Sequence, residues 1–324
     1  MELRTAIHWI GAALLAGASC AASAQSDYPS RAVRIVVPSS PGGGTDILTR
    51  LLTPQLTERL RQQVVVDNRP GAGSIIGNEL VAKAAPDGYT LLMGISTLAI
   101  LPAMHKKLSY DALRDLAPIT QAISAPNVLV VHPSLPVRSV KELIAFARKR
   151  PGDLTYASAG LGTNPHLCME LFLNMAQVKM VHVPYKGLGP AIIDLVAGHV
   201  VVATATMLTG LPQVRGGRLR GLGVTGAVRS NVLPDLPTIA EAGVPGYEAG
   251  QWYGLFAPAR TPRNIINQLH AAMTGALQAS AIKEKMASDG VQPVGSTPEE
   301  FSRYLRAETV KWGKVVQAAG MTAR

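Results

Sequence analysis

The chain has 324 residues, 47% of them hydrophobic and 16% charged, with a formal net charge of +10. That is ample for a packed core and long enough for two domains; no stretch is low-complexity and no fixed period repeats, which excludes disordered and repeat architectures. Basic residues are scattered (Arg31, Arg34, Arg59, Arg61, Lys106, Lys107, Arg148, Lys149, Arg150), and aromatics make up only 5%. Without aromatic interleaving this is no nucleic-acid groove. The charges read as a solvated face, although a basic protein also steers anionic ligands.

Arg4 and His8 precede an apolar run at 10–18, and Ala22-Ser23-Ala24 fits a small-x-small cleavage site before Gln25. Residues 1–24 are therefore expected to be a cleaved secretory signal peptide, with the mature protein in the periplasm. The run is too short to span a bilayer, and no later segment reaches about 18 uninterrupted apolar residues. Cys20 raises the question of a lipid anchor, but Gly17 rather than leucine stands three residues before it. If Cys20 leaves with the signal, Cys168 alone remains, no internal disulfide is possible, and Cys168 reads as a small buried hydrophobe.

The first structural unit comprises a short buried strand at 35–37, a loop Pro38-Ser39-Ser40-Pro41-Gly42-Gly43-Gly44-Thr45-Asp46, and a helix with apolar residues at 47, 48, 51, 52 and 56. Three glycines leave the loop backbone bare, and the following helix presents unpaired N–H groups and the positive end of its dipole. Such a place attracts a carboxylate or phosphate. It can equally be a plain strand-to-helix turn with Asp46 as N-cap. Pro54 implies a kink, or a second helix with Thr53 as its cap. The unit recurs: strand 64–66, loop Asp67-Asn68-Arg69-Pro70-Gly71-Ala72-Gly73-Ser74, helix 75–84. Pro70 and the lack of an acid about 20 residues on argue against a dinucleotide fingerprint. With a third strand at 89–93 the segment reads βαβαβ, a parallel sheet with helices on both faces.

Short helices and turns fill 98–118, then strands at 119–123 and 127–132. Ser139-Val140-Lys141-Glu142 is a capping box opening a helix to Arg150. Two more glycine loops follow: 158–166, between strand 154–157 and a helix to Ala176, and 184–190, between strand 180–183 and a helix to Ala197. Strands at 200–204 and 219–224 complete this set. Thr238 and Glu241 form another capping box, and 251–257 reads as a strand returning to the first set. Helices from Thr261-Pro262 and from the box Thr297-Pro298-Glu299-Glu300 close the chain, with Gly320 as a stop. Four glycine loops in two sets place a cleft between two α/β lobes, because open parallel sheets bind ligands at the carboxyl ends of their strands. The expected first lobe is 25–123 with 251–324, and the second 124–250.

Taken together, Gly42-Gly43-Gly44-Thr45-Asp46, Asn68-Arg69-Pro70-Gly71-Ala72-Gly73, Pro86-Asp87-Gly88-Tyr89-Thr90, Gly162-Thr163 with His166, His182-Val183-Pro184-Tyr185-Lys186-Gly187, Leu236-Pro237-Thr238 and Trp252 with Ala257-Pro258 resemble the Bug/TctC family of extracytoplasmic solute receptors of tripartite tricarboxylate transporters. The resemblance covers nearly all of the mature chain. It implies a two-lobed periplasmic binding protein fold (Venus flytrap, type II-like) with parallel-rich sheets flanked by helices. It also implies hinge closure on a small carboxylate, a di- or tricarboxylate or related organic acid, and delivery to a membrane permease. The receptor is expected to be a monomer that uses no cofactor or metal and contacts no nucleic acid. The residues expected around the ligand are Ser39, Ser40, Gly42, Gly43, Gly44, Thr45, Asp46, Gly73, Ser74, Ser158, Gly162, Thr163, His166 and Tyr185. Ser39-Ser40, Ser74 and the acid-free segment 200–205 depart from the family pattern, and the last favours a ligand without an ammonium group.

Each residue also has a plainer reading. Ser158 and Thr163 suit a carboxylate oxygen or an N-cap, His166 a ligand or helix packing, and Asp46 a cap rather than a neighbour of an anion. Trp252 reads as core near the hinge. An enzyme reading rests on Tyr156-Ala157-Ser158-Ala159-Gly160, a nucleophile-elbow likeness with Asp194 and His199 or His270 following in hydrolase order, but it lacks the elbow's first glycine. A receptor that presents its ligand to a sensor kinase is a third possibility. No zinc-protease, paired-cysteine or Walker motif is present.

Overall fold

The computed structural model describes residues 28–318. The expected signal segment, Cys20 and Gly320 lie outside the described residues. Strand β1 (Val33–Val37) is flanked by β2 (Val64–Asn68) and β3 (Thr90–Ile95), all parallel. Helices α1 (Gly44–Leu60) and α2 (Ile75–Ala82) make the crossovers. Pro54 lies inside α1 without ending it. Burial of Leu48, Leu52, Leu56 and Leu60 on one face contributes roughly 1.5–3 kcal/mol per side chain, which outweighs the ~3 kcal/mol penalty of an internal proline.

After α3 (Thr97–Met104) and the single turn α4 (Ala112–Asp115) comes β4 (Leu116–Val131), one strand of 16 residues where the sequence reads as two. Its proline at 126 is accommodated because pairing changes partner there. Residues 116–126 pair with β9 (Gly250–Pro258), and 127–131 pair with β7 (Val202–Thr206) and β8 (Arg220–Val224), all antiparallel. β9 also pairs antiparallel with β3, and a short β10 (Gln292–Pro293) joins β4. In the second lobe β5 (Thr155–Ser158) lies parallel to β6 (Val181–Pro184) and β7. Helices α5 (Val140–Lys149), α6 (Asn164–Ala176), α7 (Leu188–Val196) and α8 (Met207–Arg215) flank this sheet, and α9 (Arg263–Gln278), α10 (Ser280–Ser288) and α11 (Pro298–Ala318) flank the first. Each lobe thus has a parallel centre, and the strands that run between lobes are antiparallel.

The boxes at Ser139 and Thr297 open α5 and α11 as expected. The box at Thr238 forms both of its hydrogen bonds, each 3.0 Å, yet no helix follows. Gly243 at φ +120° and Pro245 turn the chain instead. Trp252 is core, packed edge-on against Phe301. Among the described residues no helix is long and apolar enough to cross a membrane.

Two segments pass between the sheets: β4 at 126–127 and the chain entering β9 at 249–250. Buried Thr225 joins them. Its hydroxyl accepts from the Asn127 N–H at 2.8 Å and donates to the Ala249 carbonyl at 2.7 Å. Asn164 at the start of α6 donates to the Gly250 carbonyl at 2.7 Å. Thr225→Val, which keeps the shape and removes the hydroxyl, leaves two buried backbone groups short of a partner and is expected to cost about 1–3 kcal/mol. A urea unfolding midpoint unchanged from wild type would show that this bridge does not hold the crossing segments.

Candidate functional site

The glycine loops of the two lobes meet. The loop before α1 faces the loop before α7: a β-carbon on Gly189 would stand 2.4 Å from the Pro41 carbonyl oxygen. The loop before α2 faces the loop before α6: a β-carbon on Gly73 would stand 2.3 Å from the Leu161 carbonyl oxygen. Between these contacts lies a cavity of about 70 Å³. That is several times the ~10–15 Å³ one water requires, the scale of a small organic molecule.

Helix starts supply most of its wall. Gly43, Gly44 and Thr45 come from α1, the single 3₁₀ turn Ala72–Ser74 precedes α2, Thr163 and Pro165 begin α6, Gly187 and Leu188 begin α7, and Thr206 caps α8. The N–H groups of Gly44 and Thr45 find no acceptor among the described residues. Positive dipole ends therefore converge from both lobes, with free donors from the first turn of α1. Among the described residues, Lys186 is the sole lysine or arginine in the wall, and no aspartate or glutamate lines it.

Of the residues singled out in the sequence, Ser39, Gly43, Gly44, Thr45, Gly73, Ser74, Thr163 and Tyr185 line the cavity. Ser40, Gly42, Asp46, Ser158, Gly162 and His166 lie outside its wall, each with a visible cause. Gly42 is exposed, and Ser40 packs against Gly187. Gly162 faces Leu101 and Met104. Asp46 is not the helix cap, because Gly43 holds that position. Its carboxylate accepts from the Gly42 N–H (2.9 Å), Arg50 Nε (2.9 Å) and Asn68 Nδ2 (3.0 Å), bracing the loop from behind. Burial alone would raise its pKa, but the bonds from Arg50, Gly42 and Asn68 and the Arg50 charge hold it below the usual range.

Ser158 is fully buried. Its hydroxyl lies 2.6 Å from His182 Nε2 and accepts from the Gly160 N–H at 3.0 Å. Thr163, although it lines the cavity, donates its hydroxyl to the Gly160 carbonyl at 2.6 Å, and the Gly162 N–H donates to His166 Nδ1 at 3.3 Å. These side chains shape the loop. The hydrolase order does not assemble: Asp194 accepts from the Tyr185 hydroxyl at 2.7 Å and pairs with His199 at 3.5 Å, and His270 bonds the Ser296 carbonyl in the other lobe. Ser158 meets His182 instead, out of reach of the cavity.

Thr206, Gln251 and Tyr253 line the cavity although the sequence reading passes over them. Signals for them exist. Threonine before a helix is an N-cap type, and the alternation of a strand puts Tyr253 on the face opposite the core residue Trp252.

Helix ends aimed at a cavity between two α/β lobes, with strands passing from one lobe to the other, define the class: a two-lobed periplasmic binding protein fold. The chain belongs to the tripartite tricarboxylate transporter family receptors, whose family model matches residues 48–321. BugT of Bordetella pertussis is 38% identical over 309 residues, covering 94% of this chain and 95% of that protein. The structure of the periplasmic binding protein BugD superposes with a TM-score of 0.90 at 30% identity, covering 92% of this chain and all of that one (100%). The R. palustris protein Rpa4515, solved with adipate, gives 0.89 at 38% identity, covering 92% of this chain and 100% of that one.

Beneath the second-lobe loops, His166 stacks on His182 with centroids 4.3 Å apart. Burial pushes both imidazoles down to about 4; for His182 the neighbouring His166 adds to this and Glu170 opposes it. Between about pH 6.5 and 4 the unfolded chain therefore binds protons that the folded chain refuses. Stability is complete above that window and is lost as pH falls through it. Linkage gives on the order of 2 kcal/mol at pH 5 for His166, and less for the better-solvated His182. Urea unfolding at pH 7.5 and pH 5 is expected to show the drop, and His182→Asn to shrink it. An equal drop in the variant would count against this origin.

Proposed function

We propose that this receptor is exported to the periplasm and captures a small carboxylate, a di- or tricarboxylate or related organic acid, between its lobes. It then delivers the ligand to a membrane permease of the tripartite tricarboxylate type. The observation that carries this reading is the convergence of helix N-termini from both lobes on a cavity without an acidic side chain. Unpaired N–H donors and dipole ends favour an anion there, and a buried ammonium would find no countercharge. The adipate in Rpa4515 supports the ligand class, and the family description supports the transport role. Positive helix ends come from both lobes, so an anion between them stabilises the closed arrangement over an open one; that difference in affinity drives hinge closure. No step of this function needs a nucleophile, which agrees with Ser158 lying sealed beside His182.

Succinate, adipate and citrate form the first test panel. A ligand at 100 times its Kd adds about 2.7 kcal/mol of stability, seen as a raised Tm. No shift with a broad panel of carboxylates would sink the proposal.

Gly189→Ala tests closure itself. Alanine is the better helix former, so the second lobe stays folded. Its methyl would press on the Pro41 carbonyl of the first lobe only when the lobes close. An overpacking cost of about 1–3 kcal/mol is expected to weaken binding roughly 10- to 100-fold with unliganded stability kept or raised. Unchanged affinity by titration calorimetry would mean that ligand binding does not require this closed contact.

A further inference from the structure

Tyr253 is 1% exposed, lines the cavity, and has a hydroxyl without a hydrogen-bond partner. Thr206 and Gln251 stand beside it without completing a hydrogen bond to it, and part of their bonding capacity is used elsewhere. Thr206 Oγ1 pairs with Thr209 Oγ1 at 3.0 Å, and Gln251 Oε1 accepts from Ser96 Oγ at 2.6 Å. A phenol buried without a partner is a net cost that phenylalanine would avoid. The position of the hydroxyl supplies a reason for it. A β-carbon on Gly44 would stand 2.8 Å from the Tyr253 hydroxyl and 2.6 Å from Thr206 Oγ1. The orphan hydroxyl therefore sits at the first turn of α1, beside the free N–H groups of Gly44 and Thr45, with a hydroxyl from the second lobe next to it.

We propose that Tyr253 is a specificity-determining ligand contact, its hydroxyl donating to the same acid oxygen that the first turn of α1 binds. Burial holds the phenol neutral at any physiological pH, so it keeps its proton to give. Backbone N–H donors and hydroxyls gather at that point, and among the described residues no carboxylate does, so it suits an ionised acid oxygen better than an ammonium. Thr206 comes from the second lobe and Tyr253 from the first, which puts this oxygen where both lobes reach it. The assignment rests on the carboxylate reading above.

Tyr253→Phe removes one oxygen atom and tests it. The acid that raises the wild-type Tm most among succinate, adipate and citrate serves as probe in titration calorimetry, and urea unfolding without ligand is run beside it. The expected result is a roughly 10- to 100-fold weaker Kd, with ligand-free stability equal or higher because an unpaired buried hydroxyl is gone. An unchanged Kd overturns the assignment and leaves the carboxylate reading standing. So does a ligand-free protein that unfolds more easily, which would make the hydroxyl a structural group. Failure of the wild-type protein to respond to any of the acids overturns both.

Discussion

Backbone N–H groups at helix starts are the constraint on which the structure turns. The first turn of any helix lacks internal acceptors, and burying those donors without a partner is costly. This fold brings several such turns from two lobes to one small cavity and keeps carboxylate side chains out of its wall. Asp46, the acid nearest in sequence, is tied back to Gly42, Arg50 and Asn68. It stiffens the loop without neutralising the cavity.

Close approach of the lobes depends on the same loops. Gly189 stands under the Pro41 carbonyl, and Gly73 under that of Leu161, so the glycines let backbone meet backbone across the cleft. The cavity is what remains between these contacts, which is why it is small. At the other end, Thr225 and Asn164 tie together the two segments that pass between lobes.

The repeated strand, glycine loop and helix was legible because each part has its own local signal: apolar runs, bare backbone, and amphipathic spacing that resumes after the loop. Which face a residue presents was less so. Ser158 and His166 lie in the right loop yet turn beneath it, because Gly160 and Gly162 need partners for their own N–H groups and the nearest side chains supply them. Thr206 and Tyr253 arrive from strands with no glycine to mark them, and they reach the cavity through the sheet order alone.

Local chemistry by itself determined the elements, the glycine loops, the anion preference of helix starts and the family likeness, since each depends on neighbours within a few residues. Tertiary structure decided that 116–131 is one strand joining two sheets, that α1 continues through Pro54, and that the box at Thr238 ends in turns. It also decided that the loop before α1 meets the loop before α7 and that the loop before α2 meets the one before α6. Those outcomes are set by pairing and burial between segments up to two hundred residues apart, where side-chain packing outweighs local preference.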